Sequence, residues 1–260
     1  MTQSKTELQA LLDFAVDIAR GAGAITNSYF KGSFVTERKA DNSFVTQADC
    51  DAERYLRSRI GEMFPDDAIL GEEEGEKAGK SDRRWIVDPI DGTFAFVHGV
   101  PLYGVLVGLE IGGEPSIGVV NLPALDEMIS AARGLGCFWN EQHARVSSIA
   151  SLDQALLLCT DFGVCHQFGF GPAVEALQRQ VHARRTWADA YGYILVATGR
   201  ADIMLDAVMN VWDCAALLPI VQEAGGTFTD WKGVPTIHGG NAIATNGLLF
   251  EPVMKIVKNG

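Results

Sequence analysis

Two aspartates that follow a short apolar run are the residues of this sequence best suited to chemistry. Trp85-Ile86-Val87 predicts a buried strand, and the next segment, Asp88-Pro89-Ile90-Asp91-Gly92-Thr93, predicts a tight turn. Two carboxylates three residues apart can face one point in such a turn, and the Ile90 carbonyl can join them. Hard divalent cations such as Mg²⁺ prefer carboxylate, carbonyl and water oxygens. The turn therefore predicts a cation site, although this pattern on its own is more often structural.

The end of the same segment is suited to an anion. Gly92 permits a ligand to approach the backbone closely. A helix that begins near Gly92 and Thr93 would point its free N–H groups at a negative charge. A phosphate group could thus lie beside a cation held by the two aspartates.

Two more acidic segments lie elsewhere in the chain. Glu72-Glu73-Glu74 follows the apolar Ala68-Ile69-Leu70, and Asp213 precedes an apolar helix predicted over Cys214–Ala224. Considered alone, the glutamates predict a solvated loop, and Asp213 predicts a helix N-cap. Considered with the two aspartates of the turn, they form a set of hard oxygen ligands without the His or Cys residues typical of zinc sites.

The order and spacing of these segments resemble the inositol monophosphatase family over nearly the whole chain. The resemblance is carried by Val45-Thr46-Gln47-Ala48-Asp49, Gly71-Glu72-Glu73, Asp88-Pro89-Ile90-Asp91-Gly92-Thr93, Trp212-Asp213-Cys214-Ala215-Ala216 and Glu223-Ala224-Gly225-Gly226. It implies an α/β (α+β) fold, the layered α-β-α-β-α sandwich of the inositol monophosphatase and fructose bisphosphatase type. It also implies a homodimer that hydrolyses a small phosphorylated metabolite.

The resemblance further implies two or three Mg²⁺ ions per active site, with Mn²⁺ as a substitute, held by Asp49, Glu72, Asp88, Ile90, Asp91 and Asp213. Glu72, Asp88 and the Ile90 carbonyl would bind one ion, and the three aspartates 88, 91 and 213 a second. A third, weaker ion would lie near Glu72, with Asp49 in its vicinity.

The catalytic residues implied by the resemblance are Glu72, Asp88 and Thr93. Glu72 and Thr93 would orient a water for in-line attack, and Asp88 would be shared by two ions. Metal ions in such sites neutralise phosphate charge and lower the pKa of a bound water. The substrate would contact Asp91, Gly92, Thr93 and Asp213. The sequence departs from the family in Phe94-Ala95-Phe96, where relatives often carry polar residues before the second Phe.

The substrate is predicted from the segment before the late Trp-Asp. Asp189-Ala190-Tyr191-Gly192-Tyr193 and the run that begins at Asn210 resemble the histidinol-phosphate phosphatase branch of the family. Arg185, Asp189 and Asp206 are the candidate leaving-group contacts. Histidinol phosphate carries an ammonium and an imidazole that a carboxylate can bind. Inositol phosphate stays an alternative, as does a broader sugar or nucleotide phosphatase, and Asp189 alone could be a helix N-cap.

The elements that must position these residues alternate between helix and strand. Helical spacing from Leu8 to Ala22 predicts a first helix, and a capping-box pattern between Thr46 and Asp49 predicts the start of a second. Alternating strands over residues 104–110 and 116–122 are joined by a predicted hairpin turn at Gly112-Gly113. A boundary near residue 148 divides an N-terminal α+β domain, 1–148, which carries most metal ligands, from a C-terminal α/β domain, 149–260.

Composition restricts the class of protein. The 260 residues are 47% hydrophobic and 21% charged, with a formal net charge of −12. Such an acidic chain is a poor partner for nucleic acids and anionic membranes. The start of the chain lacks a signal-peptide pattern, and no apolar run approaches the roughly 20 residues of a membrane span, so we expect a cytoplasmic protein. Five cysteines without a CxxC pair predict reduced thiols.

Rival functions fit the sequence less well. A haloacid-dehalogenase phosphatase needs two aspartates separated by one residue, whereas Asp88 and Asp91 are separated by two. A metal-binding protein without catalysis would not need both Glu72 and Thr93. A dinucleotide-binding module would need a third glycine after Gly134-Leu135-Gly136.

Overall fold

Two large β-sheets separated by helices organise the described part of the chain, which comprises residues 4–32, 36–38 and 44–258 of a computed structural model. Its helices are α1 (Lys5–Tyr29), α2 (Gln47–Met63), α3 (Thr93–Val97), α4 (Phe162–Gln167), α5 (Gly171–Gln178), α6 (Asp189–Ala197), α7 (Val211–Ala215), α8 (Leu217–Glu223) and α9 (Phe250–Val257). Its strands are β1 (Thr36–Arg38), β2 (Phe44–Thr46), β3 (Ala68–Gly71), β4 (Gly75–Lys77), β5 (Arg83–Asp91), β6 (Gly104–Ile111), β7 (Glu114–Leu122), β8 (Glu127–Ala132), β9 (Gly136–Trp139), β10 (Gln142–His143), β11 (Leu156–Cys159), β12 (Ala183–Arg185), β13 (Ile203–Asp206), β14 (Thr227–Thr229) and β15 (Ala242–Thr245).

The larger sheet has the strand order β10-β9-β8-β7-β6-β5-β3-β4. Its neighbours are antiparallel except for β3 and β5, which run parallel. Ile111 pairs with Glu114 across the predicted turn, and Gly112 and Gly113 have φ values of 60° and 82°. Since a two-residue hairpin turn of this type needs positive φ at both central positions, the hairpin prediction is confirmed.

The smaller sheet has the order β12-β11-β13-β15-β14. Strand β11 runs parallel to β12 and β13, whereas β15 runs antiparallel to β13 and β14. The larger sheet uses residues 68–143 and the smaller sheet residues 156–245. The division near residue 148 into two domains stays a prediction.

Three apolar cores hold the layers together. Helices α1 and α2 pack on one face of the larger sheet through Trp85 and Val87, and α6 and α8 pack on its other face through Ile86. Alternate residues of β5 thus face opposite cores, as the two-residue period of a strand requires. The same middle helices cover the smaller sheet, whose far face packs on α4, α5 and α9. The predicted α-β-α-β-α layering is confirmed.

Side-chain hydrogen bonds cap the first turns of α1 and α2, and the start of α2 is the predicted one. The Glu7 N–H donates to the Ser4 hydroxyl, 3.2 Å away, at the start of α1. At the start of α2, the Thr46 N–H donates to Asp49 Oδ2 at 2.8 Å, and the Ala48 N–H donates to the Thr46 hydroxyl at 3.2 Å. The predicted capping box is therefore present, and it fixes the carboxylate of Asp49.

The single helix expected over Cys214–Ala224 is two helices, α7 and α8, which meet at Ala216. Pro219 explains the difference because a proline cannot donate an intrahelical hydrogen bond and is tolerated only in a first turn. Starting α8 at Leu217 places Pro219 in that first turn. Several elements are absent from the sequence prediction, among them β8, β9, β12, α4 and α9.

All five cysteines lie in the described ranges and are free, as predicted. Among the helices of these ranges, none combines the length and the apolar character that crossing a membrane would take.

Candidate active site

A β-bulge in β5 brings Asp88 and Asp91 to one side of the sheet. Asp88 pairs with Leu106 and Asp91 with Gly104, so three steps along β5 oppose two steps along β6. In a regular strand, residues three apart point to opposite faces, and the extra residue of a bulge reverses the second one. The predicted turn after Val87 is thus a continuation of the strand through Asp91. Pro89 is compatible with this because bulges tolerate a missing N–H.

Asp213 reaches the same point from helix α7. Carboxylate oxygens of Asp88, Asp91 and Asp213 lie within 4.8 Å of one another. Asp213 is not the N-cap that its position alone suggested, because Asn210 occupies that position and its N–H donates to Asp213 Oδ2 at 2.6 Å. The second carboxylate oxygen of Asp213 remains available as a ligand atom.

Asp49 and Glu72 extend this acidic cluster. Asp49 is fully buried, and its Oδ2 accepts hydrogen bonds from the Thr46 N–H and hydroxyl at 2.8 and 2.5 Å. Its Oδ1 is buried without a hydrogen-bond partner among the described residues. Glu72 follows β3, where its N–H donates to the Val87 carbonyl oxygen at 3.3 Å. A buried carboxylate oxygen without a donor is costly, and a cation would satisfy it.

Burial and mutual repulsion raise the pKa values of these carboxyls. Burial is the larger cause, and it raises the pKa of Asp49 to about 6 and that of Asp213 to about 7. The pKa values of Asp88 and Asp91 lie well above the ordinary range, first through burial and then through neighbouring carboxylates. The negative charge of Glu72 contributes to the raised pKa of Asp49, Asp88 and Asp213. This concentration of oxygen ligands fits hard divalent cations such as Mg²⁺.

Helix α3 begins where the sequence predicts. Gly92 precedes it with a φ of 81°, a left-handed conformation that favours glycine. The Thr93 hydroxyl donates to the Ile90 carbonyl oxygen at 2.9 Å, so the two predicted site groups lie in contact. Behind them, Phe96 is buried against Tyr103, with 4.9 Å between ring centroids, whereas Phe94 is exposed and stacks on His98.

Asp189 lies against the Asp88–Thr93 segment. A Cβ placed on Gly92 would be 2.9 Å from Asp189 Oδ2, and the N–H of Ala190 donates to Asp91 Oδ2 at 2.6 Å. Ala188 is the N-cap of α6, and the Asp189 side chain makes no cap hydrogen bond, so the N-cap alternative for Asp189 is wrong. Burial raises the pKa of Asp189 to about 6.

Asp206 ends β13 with both carboxylate oxygens engaged. Oδ2 accepts a hydrogen bond from the Tyr193 hydroxyl at 2.9 Å, and Oδ1 accepts one from the Thr160 N–H at 3.3 Å. The Thr160 hydroxyl in turn accepts the backbone N–H of Asp189 at 3.0 Å, so Thr160 contacts both the carboxylate of Asp206 and the backbone of Asp189. Burial is the first cause that raises the pKa of Asp206 to about 7. Sequence reasoning missed Thr160, which no local pattern distinguishes, whereas Tyr193 belongs to the quoted Tyr-Gly-Tyr pattern.

Arg185 is placed differently from the other predicted residues. It lies exposed on β12, an edge strand of the smaller sheet, where its Nη1 donates to the Arg184 carbonyl oxygen at 2.7 Å. These contacts do not join it to the acidic cluster, and its substrate role stays a prediction.

Comparison with known proteins places this geometry in a family. The model of the inositol monophosphatase family matches residues 7–259. A histidinol-phosphatase of Chlorobaculum parvum is 40% identical over 96% of this chain and 97% of that protein, and one of Mycobacterium tuberculosis is 42% identical over 86% and 88%. An inositol-1-monophosphatase of Mesorhizobium japonicum is 33% identical over 96% of each chain.

A solved structure shows the same fold. The extragenic suppressor protein suhB from Bartonella henselae superposes with a TM-score of 0.90 at 30% identity, covering 96% of this chain and 99% of that one. Sequence, fold and acidic cluster agree. The chain belongs to the inositol monophosphatase family.

Proposed function

We propose that this protein hydrolyses histidinol phosphate to histidinol and phosphate, a step of histidine biosynthesis. Membership of the family and the cluster of Asp88, Asp91 and Asp213 make it a metal-dependent phosphomonoesterase. The observation that carries the substrate proposal is the carboxylate of Asp189 against Gly92, next to the proposed phosphate site. The two histidinol-phosphatases at 40% and 42% identity support it.

The residues present fit two or three Mg²⁺ ions, with Mn²⁺ as a substitute. Glu72, Asp88 and the Ile90 carbonyl would hold one, the aspartates 88, 91 and 213 a second, and Asp49, with its unpartnered Oδ1 among the described residues, would lie near a third. When bound, Mg²⁺ supplies positive charge for the phosphate and acidifies a water.

The chain's own residues orient the reactants. The Thr93 hydroxyl donates to the Ile90 carbonyl, which leaves its lone pairs to accept a hydrogen bond from a water. In this proposal the Glu72 carboxylate would accept the second O–H of that water and orient it for in-line attack on phosphorus. The backbone N–H groups of Gly92 and Thr93 would face the phosphate, and Asp91 and Asp213 would lie beside it, with the bound cations offsetting the repulsion between the negative charges. Positioning of this kind accounts for much of phosphoryl-transfer catalysis.

The leaving group would be recognised by charge. Asp189 is ionised above a pH of about 6 and can bind the ammonium or imidazolium of histidinol. A hydrogen bond to a charged group contributes about 1.5–3 kcal/mol, or about 10–150-fold in selectivity over a neutral polyol. Asp206 already accepts bonds from Tyr193 and Thr160, and it would assist Asp189. Arg185 is the third proposed contact.

The substitution Asp189→Asn tests the substrate proposal. Asp189 has a φ of 54°, a conformation that Asn tolerates, so the variant removes charge and keeps the backbone. We expect the KM for histidinol phosphate to rise about 10–150-fold while that for inositol 1-phosphate changes little. Asp126→Asn is a matched control, since Asp126 has the same φ of 54° and lies in the turn between β7 and β8.

Phosphate release should be measured on histidinol phosphate, inositol phosphates, fructose bisphosphate and adenosine bisphosphate, with Mg²⁺ and with EDTA. Activity on histidinol phosphate should have the highest kcat/KM and should vanish in EDTA. The second candidate, inositol 1-phosphate hydrolysis, is favoured by the Mesorhizobium relative. A higher kcat/KM for inositol 1-phosphate would replace the substrate proposal and leave the metal mechanism unchanged.

We also expect a cytoplasmic homodimer. Light scattering can test the oligomeric state.

A further inference from the structure

Glu53 accepts two hydrogen bonds from the turn that carries Glu72. Glu53 is fully buried on α2, and its Oε2 accepts the Glu73 N–H at 2.8 Å while its Oε1 accepts the Glu74 N–H at 3.0 Å. Two successive backbone donors immediately after Glu72 are therefore held by one carboxylate. Hydrogen bonds to a charged group are roughly twice as strong as neutral ones, so this turn has little freedom.

Arg57 contacts both Glu53 and the far side of the turn. Its Nε lies 2.7 Å from Glu53 Oε1, and its Nη2 donates to the Gly75 carbonyl oxygen at the far side of the same turn. An ion pair of this kind offsets part of the cost of burying a carboxylate. Helix α2 thus contacts both ends of the turn between β3 and β4.

Gly71 shows how closely the carboxylate fits. A Cβ at Gly71 would collide with the Glu53 carboxylate and with the Arg57 guanidinium. Only a residue without a side chain lets the end of β3 lie directly against Glu53. The strand, the carboxylate and the turn are packed as one unit.

Helix α2 also carries Asp49, one turn before Glu53. Residues four apart lie on the same face of a helix, and both side chains are fully buried. One rigid element therefore presents Asp49 directly and holds Glu72 through the turn.

We propose that Glu53 is a positioning residue, which sets Glu72 against the acidic cluster and thereby sets the affinity for the metal. This inference rests on the proposed metal-dependent function. Residues that orient metal ligands typically change metal affinity about 10–100-fold when they are substituted.

The substitution Glu53→Gln tests the proposal. Glutamine is nearly isosteric with glutamate, but its NH₂ group would face one of the two backbone N–H groups. The negative charge beside Arg57 would also be removed. Mn²⁺ binding, measured by isothermal titration calorimetry on the full chain, should weaken at least about 10-fold. The Mg²⁺ concentration for half-maximal activity should rise in parallel, while the KM for substrate at saturating Mg²⁺ stays near that of the wild type.

Asp67→Asn is the matched control. Asp67 is equally buried and arginine-paired, with Arg83 Nε 2.9 Å from its Oδ2, but it precedes β3 instead of following it. This variant should lower the melting temperature without changing Mn²⁺ affinity. Gly71→Ala provides a second test, because it keeps both oxygens of Glu53 but displaces them, and Mn²⁺ binding should weaken again.

The outcomes separate the two levels of inference. A wild-type protein that neither binds Mn²⁺ nor needs Mg²⁺ would refute the proposed function itself. Normal metal dependence in the wild type, with Mn²⁺ affinity in Glu53→Gln or Gly71→Ala no weaker than in Asp67→Asn, would overturn the role of Glu53 alone.

Discussion

At the residue scale, Asp49 and Asp213 bind their own backbone in the same way. Each is the third residue of its helix, and one oxygen accepts the N–H of the residue before the helix, Thr46 at 2.8 Å and Asn210 at 2.6 Å. The bond fixes the rotamer and leaves the other oxygen for a cation. In both helices the capping carboxylate thus also lies where it could serve as a ligand of the proposed metal site.

The substitution Thr93→Ala should lower kcat about 10²–10⁴-fold, because Thr93 would orient the attacking water. Mn²⁺ affinity should change little, since the Ile90 carbonyl and the carboxylates remain. Thr198→Ala is the control, because the Thr198 hydroxyl also donates to a backbone carbonyl, that of Ile194 at 2.7 Å. Wild-type turnover in Thr93→Ala would show that its assigned role is wrong.

At the element scale, β5 and α2 each place carboxylates of the candidate site. The bulge in β5 turns Asp91 to the side of Asp88, and α2 holds Asp49 at its first turn. Helix α6 contributes the Ala190 N–H to Asp91, a hydrogen bond that spans 99 positions of the chain. The site is therefore assembled from a strand of the larger sheet, a helix on its outer face and a helix between the two sheets.

Removing helix caps should separate stability from metal binding. Thr46→Ala and Ser4→Ala each delete a hydroxyl that accepts a backbone N–H at the start of a helix, so each should cost about 1 kcal/mol of unfolding free energy. Thr46 also donates to Asp49, so only Thr46→Ala should alter Mn²⁺ affinity. Urea unfolding and calorimetric titration of both variants check this. If the two variants bound Mn²⁺ equally well, Asp49 would have no role in metal binding.

At the scale of the whole molecule, we expect the acidic cluster to make the stability of the fold depend on pH and on bound metal. Folded-state pKa values near 6 for Asp49 and near 7 for Asp213 lie above the ordinary value of 3.8. The folded protein then binds more protons than the unfolded chain, so its stability falls as pH rises from about 4 to 7.

In EDTA, the Tm should accordingly be lower at pH 8 than at pH 5. Saturating Mg²⁺ should raise the Tm more at pH 8, because the cation replaces the protons and stabilises only the folded state. Thermal unfolding in the four conditions measures this. A Tm in EDTA that rises from pH 5 to pH 8 would contradict the prediction.

Both sheets should unfold together. One core contains Ile86 and Leu106 of the larger sheet, Tyr193 and Ile220 of the middle helices, and Met204 of the smaller sheet. Neither half could keep this core buried after the other unfolded, so we expect one calorimetric transition whose van't Hoff and calorimetric enthalpies agree. Two resolved transitions would instead indicate independent folding of the domains predicted at 1–148 and 149–260.

The sequence by itself determined the local features of this protein. Capping of α2 by Thr46 and Asp49, the Gly112-Gly113 turn and the helical period of α1 depend on neighbouring residues, and each is visible as a pattern. The candidate ligand set was also visible, because its segments resemble those of a known family. A local interaction leaves a local signature, and this is why the predictions of the first helix, the capping box and the hairpin turn are confirmed.

Only the tertiary structure decided how these parts meet. The bulge at Asp88–Asp91 depends on pairing with β6, and the contact of Asp189 with Gly92 depends on how α6 packs between the sheets. Glu53 accepts the N–H of Glu73, and Thr160 accepts the N–H of Asp189. Both bonds join residues that are distant in sequence, and a backbone donor leaves no pattern of side chains in the sequence. Contacts of this kind arise from packing, which one sequence does not encode as a periodic or spaced signal.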